Sequence, residues 1–528
     1  MANPFERPIA EPSEDRWATT VWRPRSVGLS ELRMSARRSF LTAARETIAE
    51  LSRLSGSCGL RLPHADLAEG FPETQPLILT GHQPVIFHPG LVYKYQLTQA
   101  KAAASGCLAA AIVIDTDEGD AGAFLVPQTF PAAVPGAFLR RFEARTETLS
   151  TGSGLYAACR LALPAAREAV ANRVRHALES AGCPEAAIAF ARASTMYCRL
   201  PELPMWSANT LVRRMAGIGT RIAELPLTTL CAFPEVLRFF SNLLGRARQF
   251  HAVYNQVLNS WRLLQGIRNE ANPFPNLRSS GTAIELPFWL VEPAAGRRSV
   301  VWLHEGMQGP MLGTESQPVA EIMPGCEAEA LLTLRFHGQL LVPRGALITA
   351  TLRLLLSDLF IHGLGGGRYD PATDQLIREW WQEDPPPFAV ASASSCLFPH
   401  ERDEVRRLQD FRSHFRDLQF NPGRYLDSSC FAAADAEELR RLLAEKQSAV
   451  EELQQSRSAG VSGRETGRRI QQLSDAIRSR VMTLLEPQVR AAEELSEETV
   501  RTVESRTWPW FYFDTNWAIH SGPNPLSQ

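Results

Sequence analysis

The chain has 528 residues, of which 45% are hydrophobic, 21% are charged and 8% are aromatic. This composition is typical of a folded globular protein and excludes a disordered or collagen-like chain. The formal net charge of −2 excludes a generally basic nucleic-acid-binding protein. The first residues lack a basic segment followed by an apolar run, and no run is long enough to cross a membrane. We therefore expect neither a signal peptide nor a membrane partner.

Cysteine and lysine usage adds two observations. The nine cysteines are scattered without a Cys-x-x-Cys pair, which predicts reduced thiols in the cytoplasm rather than disulfides or zinc ligands. Only three of the 55 basic residues are lysines, and Lys94 and Lys101 lie seven residues apart in one predicted helix. They share roughly one helix face. This is either chance or a sign that a compact ammonium group is needed there.

The first predicted elements are a long helix and a strand–helix–strand unit. Apolar residues at three- and four-residue steps predict the helix over 30–54. The apolar runs PLILT (76–80) and LAAAIVID (108–115) are typical of buried strands, and residues 91–105 between them have a helical pattern. Such a unit implies parallel strands with covered faces, and therefore an α/β fold class.

The middle of the chain mixes helices and strands. Residues 221–268 are predicted to be mainly helical. Residues 282–293 and 298–306 have the apolar pattern of strands. Residues 346–363 form a single strongly apolar helix in this prediction.

The Gly-rich segment GLGGGRYD (363–370) follows that predicted helix. It is predicted to be a turn, after which Asp370 caps a helix that has Pro371 in its first position. A structural turn is one interpretation of the glycines. As a functional loop, the segment would offer backbone amides together with His362 and Arg368 to an anionic substrate.

The C-terminal region has a different pattern. Residues 433–458 carry apolar residues at heptad spacing, and a second apolar stripe follows the Gly-Ser turn at 459–463. Two such helices predict an antiparallel coiled-coil hairpin. We therefore expect a core over 1–430, the hairpin over 431–506, and an aromatic tail over 507–528 that packs back on the core.

The loop after the first strand of the unit is the strongest candidate for a site, because ligands bind beyond the carboxyl ends of the strands in an open α/β sheet. Two sets of polar residues lie at such ends. They are Thr80, Gly81, His82, Gln83 and His88 after the first strand, and Asp115, Asp117, Glu118 and Asp120 after the second. Lys94 lies near the start of the helix between them, whose first amides can hold an anion. The competing interpretation is a Pro-shaped connector with incidental histidines.

The acidic cluster DTDEGD (115–120) is itself open to two interpretations. Its carboxylates could bind Mg²⁺ or a substrate amine, or they could form a solvated turn at the end of a strand. The sequence contains no P-loop, no dinucleotide fingerprint after the first strand, no GxSxG and no HExxH. We therefore assign no metal ligand from the sequence.

The residue pattern of these segments resembles the cysteine ligases of bacillithiol biosynthesis. That family has Thr-Gly-Gln-Gln after the first strand, Tyr-Lys on the helix and an acidic motif after the second strand. The matching positions are Thr80, Gly81, Gln83, Tyr93 and Lys94, followed by Asp115, Asp117 and Asp120. Residues 254–277 are similar to the family's Tyr-Asn, Arg and Pro-Phe-Pro segment, and His82 stands where the family has glutamine.

The resemblance implies a Rossmann-like parallel-sheet core with helical insertions, a coiled-coil hairpin, and a homodimer formed through the coiled coil. It also implies a ligase that joins the carboxyl of cysteine to the amine of glucosaminyl malate. These two small molecules are then the expected partners. Carboxyl activation makes ATP or ADP with Mg²⁺ the candidate cofactor, although no residue identifies one.

Elementary chemistry gives the candidate residues roles in such a reaction. His82 or Asp117 can accept a proton from the amine. Lys94 and the first helical amides can hold phosphate or developing negative charge. Arg344 or Arg368 would suit a malate carboxylate. Two other classes stay open: another small-molecule transferase or ligase on the same fold, and a non-catalytic coiled-coil assembly protein.

Overall fold

The computed structural model describes residues 5–17, 20–63, 75–131, 140–306, 309–323, 325–427 and 430–513. The fold is mixed α/β and 55% helical. The chain divides into two units. The first comprises Met1–Val126, Thr146–Ser395 and Arg506–Gln528, and the second comprises Pro127–Arg145 and Cys396–Ser505.

The strands are, in chain order, β1 (Glu6–Glu11), β2 (Leu77–His82), β3 (Leu108–Val113), β4 (Glu118–Gly119), β5 (Ala123–Phe130), β6 (Arg141–Thr148), β7 (Gly154–Leu155), β8 (Ala223–Pro226), β9 (Ser279–Ser280), β10 (Ala283–Glu292), β11 (Arg297–Glu305), β12 (Pro310–Gly313), β13 (Pro318–Glu321), β14 (Leu340–Pro343), β15 (Leu359–His362) and β16 (Phe388–Ser394).

The helices are α1 (Val27–Ser57), α2 (Pro89–Ala104), α3 (Pro164–Ser180), α4 (Pro184–Arg199), α5 (Met205–Met215), α6 (Leu227–Cys231), α7 (Pro234–Leu244), α8 (Ala247–Gln265), α9 (Glu327–Phe336), α10 (Ala346–Leu355), α11 (Leu364–Leu376), α12 (Pro399–Phe420), α13 (Ala433–Ser458), α14 (Arg464–Glu494) and α15 (Glu497–Val503).

A six-stranded sheet in the order β1-β16-β15-β2-β3-β8 forms the centre of the first unit. All neighbours are parallel except the antiparallel edge strand β1. The predicted strand–helix–strand unit is confirmed as β2, α2 and β3, which pair in parallel from Leu77 opposite Leu108 to His82 opposite Val113. All six residues of β3 are buried, as expected of a parallel strand covered on both faces.

Helix α1 confirms the long helix expected near the N-terminus. The hydroxyl of Ser26 accepts a hydrogen bond from the amide of Leu29 and caps the helix. Phe40, Ala44 and Ile48 lie at four-residue steps and are buried in the core of the first unit. The helix therefore forms because one apolar stripe is covered along its length.

The prediction of one helix over 346–363 is wrong, since α10 ends at Leu355 and the chain continues as β15 from Leu359. Asp358 separates the two elements, and its carboxylate accepts hydrogen bonds from the amide of Leu77 and from the guanidinium of Arg33. These bonds align the start of β15 with β2. A continuous apolar run cannot by itself distinguish a buried helix from a buried strand.

The prediction for the glycine-rich segment is also wrong, because α11 begins at Leu364, directly after β15, and has Pro371 inside it. A Cβ atom on Gly367 would lie 2.1 Å from Cγ2 of Val390, so the glycines let α11 lie close to the sheet. Asp370 is not a cap. It binds Arg353 Nη1 at 2.6 Å and His362 Nε2 at 2.9 Å.

A second, antiparallel sheet in the order β13-β12-β11-β10-β14 also belongs to the first unit. It includes the two strands predicted over 282–293 and 298–306, which are β10 and β11. The prediction of mainly helix over 221–268 missed β8, which pairs with β3. Only four residues long and followed at once by α6, β8 shows too little alternation to be read from its sequence.

Residues 507–513 of the aromatic tail pack within the first unit. The amide of Trp510 donates to the carbonyl of Phe87 at 2.8 Å, and the hydroxyl of Tyr512 donates to the carbonyl of Leu125 at 2.9 Å. The ring of Phe511 lies edge-on to Phe124 at 5.3 Å. Residues 514–528 of the predicted tail lie outside the described residues.

The second unit contains α12 to α15. Leu439 of α13 and Ile477 and Val481 of α14 lie in one apolar cluster, and residues 459–463 join these two helices. Arg480 of α14 binds the carboxylates of Asp435 and Glu438 on α13. The C-terminal segment of this unit runs from Cys396 to Ser505 and includes α12, which packs against α14, so it is longer than the hairpin expected over 431–506.

Candidate functional site

The order of strands in the parallel sheet reverses between the neighbouring strands β2 and β15. From β2 the chain proceeds to β3 and β8 on one side, whereas β15 and β16 lie on the other side. Ligands bind beyond the carboxyl ends of the strands at such a reversal of order. The two strands meet closely there, since the hydroxyl of Thr80 donates to the carbonyl of Ile361 at 2.8 Å. The candidate site therefore includes the end of β15, in addition to the ends of β2 and β3 predicted from the sequence.

Gly81 and the start of α2 shape the loop that leaves β2. A Cβ atom on Gly81 would lie 2.9 Å from the carbonyl oxygen of Ile112, so β2 and β3 approach closely only because residue 81 is glycine. His88 caps α2, and its Nδ1 atom accepts a hydrogen bond from the amide of Gly90 at 3.1 Å. The capped helix directs its first turn toward this edge of the sheet.

Lys94 is buried beside the end of β2. Its Nζ atom donates to the carbonyl of Gly81 at 2.7 Å. Burial lowers the pKa of the ammonium group from 10.5 to about 7, and among the described residues no carboxylate offsets this effect. A buried amine without a carboxylate partner is a group that an incoming anion would stabilise in its charged form.

His82, the last residue of β2, and His88, the N-cap of α2, are neutral near pH 7. Burial, together with the charge of Lys94, lowers the pKa of His82 to about 3. Burial, followed by the charges of Arg506 and Lys94, lowers the pKa of His88 to about 4. Nδ1 of His82 lies 3.2 Å from the carbonyl oxygen of Gln83. In the tautomer that donates this hydrogen bond, Nε2 is a free proton acceptor.

Asp117 is held from two sides. The side-chain amide of Gln83 donates to one carboxylate oxygen at 2.9 Å, and Nη1 of Arg298 donates to the other at 3.0 Å. The same Nη1 donates to the carbonyl of Thr116 at 2.7 Å, and the guanidinium lies 4.3 Å from the ring centroid of Trp289. The acidic cluster after β3 is thus joined to the loop after β2 and to the antiparallel sheet.

Asp115 and Asp120, two further carboxylates of the cluster, have different surroundings. Asp115 is buried and accepts hydrogen bonds from the amide and the hydroxyl of Thr228. Burial raises its pKa to about 6 despite these bonds. Asp120 accepts hydrogen bonds from the amide of Gly122 and the hydroxyl of Thr148, so it stabilises the turn before β5.

Three of the sequence-predicted residues have no direct contact with this cluster. Tyr93 packs edge-on against Phe5 at 5.0 Å. Arg344 pairs with Glu285, and its guanidinium lies 5.0 Å from the Trp289 ring centroid. Arg368 is exposed on α11.

Sequence reasoning missed Arg298 and Thr228. Arg298 lies 181 positions from its partner Asp117, and Thr228 lies 113 positions from Asp115. Neither residue belongs to a local motif, so no signal in the sequence could have identified them. The fold brings them to the end of β3, Arg298 from the antiparallel sheet and Thr228 from α6.

Several wider features bear on what the described residues can do. They contain no group of three or more His, Cys, Asp or Glu side chains that could hold a metal ion. Within the same ranges, every helix is too short or too polar to cross a bilayer. No disulfide joins any of the nine cysteines. A cavity of about 480 Å³ between α12 and α14 in the second unit contains none of the predicted site residues.

Comparison with known proteins does not assign the chain to a family. A scan against protein-family models finds no match. A search of curated proteins finds none that matches significantly. The geometry of the site is therefore the basis for a functional proposal.

Proposed function

We propose that this chain is a cytoplasmic ligase that joins the carboxyl of cysteine to the amine of glucosaminyl malate or a related amino sugar. The proposal includes a Rossmann-like core, an antiparallel coiled-coil hairpin and a homodimer formed through that hairpin. The observation that supports it most is the grouping of His82, Lys94 and Asp117 beyond the ends of β2 and β3. Burial lowers the pKa values of His82 and Lys94, and groups with shifted pKa values at the end of a parallel strand are candidates for an active site.

His82 is the proposed general base. An attacking amine must lose a proton, and a neutral imidazole can accept it at Nε2. Burial and the charge of Lys94 lower the pKa of His82 to about 3, so its imidazole is unprotonated at neutral pH but is a weak base until a bound anion offsets the charge of Lys94. Asp117 is less suited to this step, since Arg298 and Gln83 already occupy both of its oxygens. In the proposed reaction Asp117 instead binds the side-chain amide of Gln83, and the backbone carbonyl of Gln83 contacts Nδ1 of His82.

Lys94 is the proposed anion-binding group. Its pKa of about 7 leaves the amine half charged at neutral pH, and an anion beside it would restore the full charge. A phosphate group or the negative charge that develops on an attacked carboxyl would have this effect. The role predicts that anion binding near pH 7 is accompanied by proton uptake.

Amide formation also needs an activated carboxyl. A carboxylate and an amine lose water on joining, so the carboxylate oxygen must first become part of a leaving group, as when ATP transfers a phosphoryl group to it. The described residues contain no group of three or more His, Cys, Asp or Glu side chains that could hold Mg²⁺. Mg-ATP is therefore supplied in the assay as a co-substrate.

An alternative acceptor amine is favoured by the positions of two arginines. Arg344 is neutralised by Glu285, and Arg368 lies exposed on α11. Neither is arranged to bind the malate carboxylates of glucosaminyl malate. The same chemistry with an amino sugar that lacks carboxylates is therefore the second candidate function.

The test is incubation of the purified full chain with cysteine, an amine acceptor and Mg-ATP, followed by mass spectrometry of the conjugated thiol. Glucosaminyl malate and glucosamine serve as parallel acceptors. We expect product with at least one acceptor, and its loss in His82→Ala and Lys94→Met. The matched controls are His176→Ala and Lys101→Met, which lie outside the site and should retain the rate.

The outcomes separate reaction from site. Product that persists in both site variants would assign the reaction but remove these residues from it. No product from folded protein with either acceptor would overturn the proposed function and favour the assembly class, which sedimentation of the chain would then test.

A further inference from the structure

A second cavity lies at the opposite, amino edge of the parallel sheet. It has a volume of about 390 Å³ and lies between the start of α1, helix α7 and the end of α11. Its lining includes Gly28, Phe239, Arg246, Trp380, Trp381 and Glu383. This volume is in the range of small-molecule sites. None of the residues proposed for the ligase reaction contributes to it.

The aromatic wall of this cavity is built by an irregular turn. Helix α11 continues into the single π turn Ile377–Trp381, and Gln382 then has a φ of 57°, which non-glycine residues rarely adopt. The turn places Trp380 and Trp381 side by side at the cavity. Such π turns and strained residues concentrate at functional sites. Trp381 also stacks on Phe239 of α7, with a centroid distance of 5.4 Å and an interplanar angle of 5°.

Two charged residues line this cavity, and only Arg246 is available to bind a ligand, because Glu383 is already hydrogen-bonded. Both oxygens of Glu383 accept hydrogen bonds from backbone amides, those of Arg25 at 2.7 Å and Ser26 at 2.9 Å. Its negative charge therefore stabilises the N-terminus of α1. Arg246 is exposed and lies 4.6 Å from the ring centroid of Trp380. Within the described part of the chain it forms no ion pair with a carboxylate.

We propose that this cavity binds a small planar aromatic carboxylate. The ring of the ligand packs against Trp380 and Trp381, which are both half-buried and line the cavity. Its carboxylate binds the guanidinium of Arg246, which offers two parallel donors of fitting geometry. A cationic aromatic ligand is disfavoured, because Glu383 is committed to α1 and Arg246 repels it. The proposal is independent of the ligase reaction at the other edge of the sheet.

The test is a fluorine NMR titration of the full chain with three probes of one shape and different charge. They are 4-fluorobenzoate, 4-fluorobenzamide and 4-fluorobenzamidine. We expect the anion to bind at least about tenfold more tightly than the neutral amide, since it gains a charge-assisted hydrogen-bonded pair. The cation should bind most weakly of the three.

Two variants locate the binding. Gly28→Met should abolish binding of 4-fluorobenzoate by filling the cavity. A Cβ atom there would meet only Ser26 Oγ, at 4.0 Å, and replacing a helical glycine favours the folded state. Arg246→Gln should weaken the anion about tenfold and leave the amide unchanged. Arg238→Gln, an exposed position on α7 outside the cavity, is the matched control.

The proposal is overturned by any of four results. They are no binding of 4-fluorobenzoate to the folded chain, equal binding of all three probes, preference for the cation, and anion binding that survives Gly28→Met. The unfolding midpoint of each variant shows that the fold is intact, so a loss of binding reports on the cavity.

Discussion

The two edges of the parallel sheet bury charge in opposite ways. At the amino edge, Asp358 accepts hydrogen bonds from the guanidinium groups of Arg33 and Arg37 and from the backbone amides of Trp22 and Leu77. The side chains of Arg33 and Arg37 are 4% and 3% exposed. Every charge in this group faces an opposite charge.

At the carboxyl ends of β2 and β3, the buried groups Lys94 and Asp115 have neutral partners. Lys94 donates to a carbonyl oxygen, and Asp115 accepts from an amide and a hydroxyl. Burial therefore shifts the pKa of Lys94 down and that of Asp115 up, each toward the neutral form. A paired buried charge holds strands together, whereas an unpaired one is stabilised only when a ligand supplies its counter-charge. Under the proposed function, this difference separates the edge that stabilises the fold from the edge that binds substrate.

The largest effect should come from breaking the amino edge. Asp358→Ala leaves two buried guanidinium groups without a carboxylate, and we expect a loss of about 3–5 kcal/mol in the free energy of unfolding. Urea denaturation measures it. The control is Asp384→Ala, whose partner Arg25 is 68% exposed, and there the change should stay below about 0.5 kcal/mol. Equal small effects would remove the contrast between paired buried and paired exposed charge.

The opposite sign is expected at the carboxyl edge. Lys94 has a lower pKa in the folded chain than the 10.5 of an exposed lysine, so burying its charge destabilises the fold fully below pH 7 and less as the pH rises toward 10.5. Lys94→Met should therefore raise the free energy of unfolding at pH 6 by about 2–4 kcal/mol. Its advantage should shrink by about 1.4 kcal/mol per pH unit above pH 7. A destabilised variant at pH 6 would contradict this account.

The histidines at the carboxyl edge should make the protein sensitive to acid. His88 has a folded pKa of about 4, below its usual 6.5, so stability is lost as the pH falls from 6.5 toward 4. His88→Asn keeps a side-chain cap for α2 but cannot take up the proton. We expect the variant to lose about 2 kcal/mol less than wild type between pH 7 and pH 5. Exposed His176→Asn should behave like wild type.

The smallest effect concerns Asp115. Thr228→Val removes one of its hydrogen-bond donors, so the pKa of Asp115 should rise further above 6 and the fold should lose about 1 kcal/mol at pH 7. Carbon-13 NMR of the Asp115 carboxyl follows the titration. Thr229→Val, at the next position of α6, is the control and should leave the titration of Asp115 unchanged.

The sequence predicted those elements whose pattern is local. The β2–α2–β3 unit was predictable because two apolar runs flank a Gly- and Pro-rich loop and a helix within 40 residues or so. The break at Asp358 was not, since an aspartate inside an apolar run is read as an exposed helical residue until Arg33, Arg37 and the amide of Leu77 surround it. Tertiary hydrogen bonds to Asp358 therefore determine where α10 ends and β15 begins.

The candidate site divides in the same way. His82, Gln83 and Lys94 were predictable because they follow one strand and begin one helix. Arg298 was not, because it reaches Asp117 from a strand of a different sheet. Arg344 was expected to be available to a ligand, yet Glu285 on the neighbouring strand β10 neutralises it. Motifs report which groups are present, whereas partners distant in the chain decide which charges remain available.

The aromatic tail has a consequence for the order of events during synthesis. The chain is made from its N-terminus, so all of 396–505 leaves the ribosome before Trp510 can bind the carbonyl of Phe87. At 5–20 residues per second this interval is on the order of ten seconds. During that time the loop that carries His82 and His88 lacks its last cover, and the second unit can fold first. The emergence of Trp510 from the ribosome is then the event that completes the first unit.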